Sequence, residues 1–131
     1  MKRIQILPLL LILILLAGCA AASEPAGYRQ IGMEEAMQMM ETAENYIILD
    51  VRTQEEYKQA HIPGAICLPN EEISDQEIPE LPDKGQLILV YCRSGNRSKQ
   101  ASEKLVKLGY TNIVEFGGII DWPGETISEI V

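Results

Sequence analysis

Short runs of large apolar residues alternate along this chain with stretches of helical spacing. The apolar runs predict strands, and Leu/Ile/Met/Ala positions spaced three and four residues apart predict helices. The run at 87–91 is apolar on both faces, so we expect it in the centre of a sheet. Strands alternating with helices predict an α/β fold with a mostly parallel sheet covered on both faces. Strands are predicted at 28–31, 46–51, 65–68, 87–91 and 113–116, and helices at 33–40, after Thr53, at 71–78 and at 101–108.

The first 19 residues follow a different pattern. Lys2 and Arg3 precede an almost wholly apolar run at 4–16, which is shorter than the roughly 20 residues of a transmembrane helix. Leu-Ala-Gly at 16–18 then stands directly before Cys19. This resembles the bacterial lipobox, in which the signal is cut before the cysteine and that cysteine is acylated. Two alternatives stay open: cleavage at the Ala-rich 20–22, which releases a soluble protein, and an uncleaved anchor.

The pattern of the first 19 residues determines how we divide the chain into segments. Residues 1–18 are interpreted as a lipoprotein signal peptide, 19–27 as the lipidated Cys19 with a short tether, and 28–131 as one domain. The small and chain-breaking residues before position 28 are typical of a flexible linker. All three interpretations of the start place the domain outside the cytoplasm. We expect the protein to be lipid-anchored to a bacterial membrane on its extracytoplasmic side.

Charge and composition exclude several classes of function. The 131-residue chain has 11 basic and 19 acidic side chains and a net charge of −8, which disfavours nucleic acid as a partner. One histidine and scattered cysteines predict no zinc site, and no cofactor is expected. Met33, Met37 and Met40 could in principle bind copper(I), but their helical spacing favours core packing.

The segment with candidate chemistry begins at Cys92, between the most apolar strand and a helix. Gly95 and Asn96 suit a tight turn because both tolerate left-handed backbone angles. Such a turn aims backbone N–H groups inward, which together with nearby cations favours a nucleophilic thiolate. The candidate site is therefore Cys92 as nucleophile, with a surrounding loop of Arg93, Ser94, Gly95, Asn96, Arg97 and Ser98.

Several motifs resemble the single-domain rhodanese-like family. They are Leu-Asp-Val-Arg at 49–52, Glu-Tyr at 56–57, His-Ile-Pro-Gly-Ala at 61–65, the loop at 92–98, and Gly-Gly-Ile at 117–119 followed by Trp122. The resemblance implies a five-stranded parallel sheet and a sulfurtransferase. In such an enzyme Cys92 takes a sulfane sulfur from thiosulfate or polysulfide as a persulfide, and passes it to cyanide or a thiol. It also implies that the loop backbone cradles the sulfur, and that Asp50 and Arg52 hold the loop by polar contacts.

Two departures from the thiosulfate-specific members affect the choice of donor. Those enzymes carry a basic residue where this chain has Ser94, and an arginine where it has Glu56. Both changes remove positive charge that would bind thiosulfate. We therefore expect thiosulfate to be a poor donor, with polysulfide or a partner protein's persulfide as the alternatives.

Other functions remain as alternatives. A cysteine phosphatase or arsenate reductase on this fold uses Cys-x5-Arg, whereas Cys92 and Arg97 are separated by only four residues. A module that carries sulfur or binds a partner protein without catalysis is the alternative from a different class. In the sheet order that the resemblance implies, the strand of Cys67 lies two positions from that of Cys92, about 10 Å away, which is too far for a direct disulfide. His61 is interpreted as structural.

Overall fold

A computed structural model describes residues 27–130, so residues 1–18 and the predicted lipidation site Cys19 lie outside the described part. The strands are β1 (Arg29–Gln30), β2 (Tyr46–Asp50), β3 (Ile66–Cys67), β4 (Leu87–Cys92) and β5 (Ile113–Gly118). The helices are α1 (Met33–Thr42), α2 (Gln54–Gln59) and α3 (Asn96–Lys107), with 3₁₀ turns at Asn70–Glu72 and Ile119–Asp121.

The five strands form one parallel sheet with the order β1-β5-β4-β2-β3. Strand β4 lies at its centre, as its apolar sequence predicted, and five of its six residues are buried. Because β4 is central and parallel, its carboxyl end opens into the crevice where ligands bind in α/β sheets. Cys92 is the last residue of that strand.

Helices cover both faces of the sheet, which confirms the predicted α/β architecture. Val90 faces α3 and packs with Ala101 and Leu105. Its neighbour Leu89 faces the opposite side and packs with Ala36 of α1. On that side Met33 and Met40 of the predicted methionine stripe also pack against the core, together with Met39, Tyr57 and Trp122.

The helix predicted over residues 71–78 is wrong. That segment forms only the 3₁₀ turn Asn70–Glu72 and then an irregular loop. The loop is anchored in the α3-side core by Ile73, Ile78 and Leu81. The first two are five residues apart, which places them about 140° apart around a helix, so a regular helix could not bury both.

Helix α2 begins as predicted. The Thr53 hydroxyl accepts a hydrogen bond from the Glu56 N–H, and Glu56 Oε1 reaches back to the Thr53 N–H in a capping box. Within residues 27–130 no helix is both long and apolar enough to span a membrane. The same residues contain no group of three or more His, Cys, Asp or Glu side chains placed to hold a metal ion.

Candidate active site

The loop after β4 folds back over its own cysteine. Cys92 is only 1% exposed, and the N–H of Gly95 donates to its Sγ at 3.0 Å. Gly95 makes this return possible with a φ of 106°, a left-handed conformation that favours glycine. Asn96 does not use the left-handed conformation considered for it and instead begins α3. The helix N-terminus therefore stands directly behind the sulfur.

Hydrogen bonds favour the anionic form of Cys92. Burial of the sulfur opposes ionisation, but contacts to the Ser98 hydroxyl and to the backbone N–H groups of Ser98, Gly95 and Ser94 outweigh it. The pKa of the Cys92 thiol therefore lies below its ordinary value. The Ser98 Oγ is 3.4 Å from the Cys92 Sγ. This geometry provides the thiolate environment expected from the loop sequence.

A buried carboxylate lies beneath the loop, and we did not predict it from the sequence. Glu115 of β5 is 3% exposed, and its Oε1 accepts hydrogen bonds from the Ser98 hydroxyl at 3.0 Å and the Gly117 N–H at 2.9 Å. In the pairing of β4 with β5, Glu115 is the partner of Val90. A register shift after this pair makes Gly118, rather than Gly117, the partner of Cys92. An acidic residue inside an otherwise apolar strand was the signal that could have identified it.

One of the two positive charges predicted for the loop is compensated by a carboxylate. Both terminal nitrogens of Arg97 donate to Glu56, at 2.7 and 3.0 Å. The hydrogen bond from Arg97 is the main reason why the pKa of Glu56 falls to about 2. Arg93 and Ser94 are exposed. Arg97 therefore faces the site as half of an ion pair rather than as a free cation.

Asp50 and Arg52 form a buried ion pair beside the strand that carries Cys92. Arg52 Nη2 lies 2.6 Å from Asp50 Oδ2 and also donates to the Ala60 carbonyl. The Tyr91 hydroxyl donates to the same Asp50 oxygen at 2.6 Å. Among the described residues, the hydrogen bonds of this pair reach Tyr91 and the end of α2, but not loop residues 93–98. Any support for the loop is therefore indirect, through the residue before Cys92.

Cys67 and His61 lie apart from the sulfur site. Both Cys67 and Cys92 are free, and their strands are two positions apart in the sheet. Burial and the nearby Asp50 raise the pKa of Cys67 to about 11, so this thiol is a poor nucleophile at neutral pH. The His61 ring stacks on Tyr57 at 3.8 Å, and its Nδ1 lies 2.9 Å from the Tyr57 carbonyl oxygen.

Gly118 is where β5 passes directly under the loop. A Cβ at this position would lie 1.9 Å from the Arg93 carbonyl oxygen and 2.6 Å from the Ser94 Cα.

Because both are backbone atoms, we expect Gly118→Ala to displace the loop and to lower the rate of Cys92 alkylation at neutral pH by about tenfold or more. The measurement is the alkylation rate by peptide mass spectrometry. Gly85→Ala is the control, since its Cβ would make only an ordinary 3.5 Å contact; equal rates in both variants would contradict the prediction.

The family model, the sequence relatives and the solved structures that this chain resembles agree with one another. The family model of the rhodanese-like domain matches residues 32–124. Thiosulfate sulfurtransferase PspE of Escherichia coli K12 is 42% identical over 79 residues, which cover 60% of this chain and 74% of the relative. Putative sulfur carrier protein YrkF of Bacillus subtilis 168 is 35% identical over 98 residues, 74% of this chain but 52% of the relative. Among solved structures, a rhodanese with anions from E. coli has a TM-score of 0.58 at 37% identity and covers 63% of this chain and 98% of its own.

Proposed function

The chain belongs to the rhodanese-like domain family, and on that basis we propose that it is a sulfurtransferase carrying a sulfane sulfur as a persulfide on Cys92. The observation that supports this most directly is the Gly95 N–H directed at the Cys92 Sγ from 3.0 Å. A loop that closes so tightly around one sulfur leaves little room for a tetrahedral oxyanion. The phosphatase alternative is therefore disfavoured.

The proposed reaction has two displacement steps. The Cys92 thiolate attacks the outer sulfur of the donor, so that a new S–S bond forms and the bond to the rest of the donor breaks. The leaving group, sulfite from thiosulfate or a shortened polysulfide, takes the electron pair. A cyanide ion or thiolate then attacks the outer sulfur of the persulfide and regenerates the Cys92 thiolate. The loop N–H groups stabilise the anionic sulfur throughout.

The test is the intact mass of the purified protein before and after exposure to polysulfide or thiosulfate, followed by cyanide. We expect a gain of one sulfur atom, discharged by cyanide with release of thiocyanate. No sulfur gain from any donor, in protein that is folded and has a reduced Cys92, would refute the proposal.

We further propose that thiosulfate is a poor donor and that polysulfide or a partner protein's persulfide supplies the sulfur. Thiosulfate is a dianion, and one of the two arginines of the loop, Arg97, is bound through both of its terminal nitrogens to Glu56. The side chains of this pair are 28% and 29% exposed, so it lies at the mouth of the site rather than in the core. Removing the carboxylate charge would make the guanidinium available to the donor.

Glu56→Gln is expected to raise kcat/KM for thiosulfate about five- to tenfold at low ionic strength, with a smaller gain at high salt. Glutamine can still complete the capping box with Thr53, so α2 should remain intact. The measurement is thiocyanate formation against thiosulfate concentration at two salt concentrations. Glu55→Gln removes an equal charge one residue away and is the control. Equal gains in both variants would show that general surface charge, not the Arg97 pair, limits thiosulfate use.

A sulfur carrier without turnover is the second candidate, favoured by the similarity to putative sulfur carrier protein YrkF. A carrier would accept one sulfur on Cys92 and release it to a partner's thiol. It would do so without sustained thiocyanate production from excess donor and cyanide. The steady-state rate of thiocyanate formation therefore separates the two functions, since a carrier would add little to the uncatalysed reaction of donor with cyanide.

We propose that Cys19 is lipidated and anchors the domain to the extracytoplasmic side of a bacterial membrane. The support is Leu-Ala-Gly at 16–18 after the apolar run. Cys19→Ser is expected to abolish incorporation of labelled fatty acid and to move the protein out of the washed membrane fraction. Cys67→Ser should leave labelling unchanged. Fatty acid label that persists in Cys19→Ser would exclude this site.

A further inference from the structure

Glu115 is a buried carboxylate without a cation to compensate it. None of the three ion pairs among residues 27–130 includes Glu115. On α3 Arg97 is bound to Glu56, the loop residue Arg93 is exposed, and on β1 the residue opposite Glu115 is the neutral Gln30. Burying a charged carboxylate without a positive partner is costly, and taking up a proton relieves that cost.

A single hydroxyl joins this carboxylate to the reactive thiol. Ser98 Oγ lies 3.4 Å from the Cys92 Sγ and 3.0 Å from the Glu115 Oε1. Ser98 has only one hydroxyl hydrogen, and its Oγ also lies 2.9 Å from the Gly95 carbonyl oxygen and 3.5 Å from the Gly117 carbonyl oxygen. At most one of Cys92 and Glu115 can therefore receive that hydrogen at a time. If Cys92 and Glu115 were both anionic, one of them would therefore lack the Ser98 donor. One extra proton on either acid removes the conflict.

We propose that Cys92 and Glu115 share one proton at neutral pH, relayed by Ser98, so that Glu115 is a positioning residue for the sulfur transfer proposed above. In one arrangement the Cys92 thiol donates to Ser98, and Ser98 donates to the Glu115 carboxylate. In the other, the S–H bond breaks and its proton passes to Ser98 Oγ. The Ser98 proton then passes to Glu115 Oε1, so the negative charge moves from the carboxylate to the sulfur.

The second arrangement is suited to catalysis. The Ser98 hydroxyl now donates to the thiolate, together with the Gly95 N–H, while protonated Glu115 donates to Ser98. The Gly117 N–H holds the Glu115 oxygen in place at 2.9 Å in both arrangements. A thiolate thus forms without a histidine base, and the only histidine, His61, is stacked on Tyr57. When the sulfur has left and Cys92 is reprotonated, the proton returns along the same path.

Infrared spectroscopy of the purified full-length protein at neutral pH tests the shared proton directly. We expect a carbonyl stretch from one protonated buried carboxyl in the wild type, absent in Glu115→Gln and also absent in Cys92→Ser, where no thiolate forms and Glu115 ionises. Absence of the band in the wild type would overturn the proposal. Persistence of the band in Cys92→Ser would also overturn it, because Glu115 would then be protonated by its burial alone.

The pH dependence of Cys92 alkylation gives a second readout, which would not change if the role of Glu115 were merely structural. Two acids that share a proton titrate as a pair, so the wild-type profile should be broad or show two steps. Glu115→Gln keeps the hydrogen-bonding atoms but removes the second acid. It should give a single step with its midpoint about one pH unit lower, since no carboxylate then opposes the thiolate.

Two further variants complete the comparison. Ser98→Ala breaks the connection between Cys92 and Glu115 and should also give a single step, whereas Glu103→Gln on the exposed side of α3 should keep the wild-type profile. A Glu115→Gln profile identical to that of the wild type would overturn the proposal, with thermal melting used to confirm that the variant is folded.

Sulfur uptake without the carboxyl band refutes only the shared proton. The band without sulfur uptake refutes only the proposed sulfurtransferase.

Discussion

Cys92→Ser is expected to abolish sulfur uptake, with a loss of thiocyanate formation of about a thousandfold or more. A hydroxyl in the same loop has no accessible anionic form near neutral pH, and an oxygen cannot form the persulfide. The change is small in volume, and the Gly95 N–H and Ser98 hydroxyl remain available to the new side chain. The measurement is intact mass after polysulfide, with the rate of thiocyanate release from cyanide recorded in parallel.

Cys67→Ser is the matched control for the loss of a thiol. Cys67 lies on edge strand β3, and its raised pKa of about 11 leaves almost no thiolate at neutral pH. This variant should therefore take up sulfur at the wild-type rate. A Cys92→Ser protein that still gains a cyanide-labile sulfur would transfer the proposed role to another residue.

Local patterns in the sequence were sufficient to predict the α/β fold class and to place Cys92, the candidate nucleophile, at the end of the central strand. The apolar run before Cys92 predicted the central strand, and Gly95 predicted the tight turn that returns to the sulfur. Both signals arise from neighbouring residues, since strand burial and left-handed backbone depend on residue type at each position. The capping box at Thr53 was predictable for the same reason.

The electrostatics of the site could not be predicted in this way, because they depend on contacts between distant segments. Arg97 appeared to be a free cation in the sequence, but folding brings it to Glu56, 41 positions away. Glu115 reaches Ser98 from 17 positions away, on a different strand. The failed helix over residues 71–78 has a similar cause, since Ile73 and Ile78 are anchored by tertiary packing rather than by helical periodicity. Tertiary contacts overrode local preference in each case.

Asp50→Asn is expected to lower the free energy of unfolding by about 3–5 kcal/mol. Asparagine preserves the volume but removes the charge, which leaves the guanidinium of Arg52 buried without its counter-ion. The Arg52 side chain is 6% exposed and the Asp50 side chain is fully buried, so water cannot replace the lost partner. The Tyr91 hydroxyl also loses its charged acceptor. Urea unfolding at neutral pH, followed by circular dichroism, measures this difference.

Two further variants separate the cost of an unpaired charge from the value of the pair itself. Asp50→Asn combined with Arg52→Met removes both charges and should recover much of the lost stability, because an apolar side chain needs no counter-ion. Glu77→Gln breaks the ion pair with Lys84, in which Glu77 is 83% exposed, and should cost at most about 1 kcal/mol. A cost for Asp50→Asn as small as that of Glu77→Gln would mean that Arg52 finds solvent or another acceptor. The buried pair would then contribute little to the strand that carries Cys92.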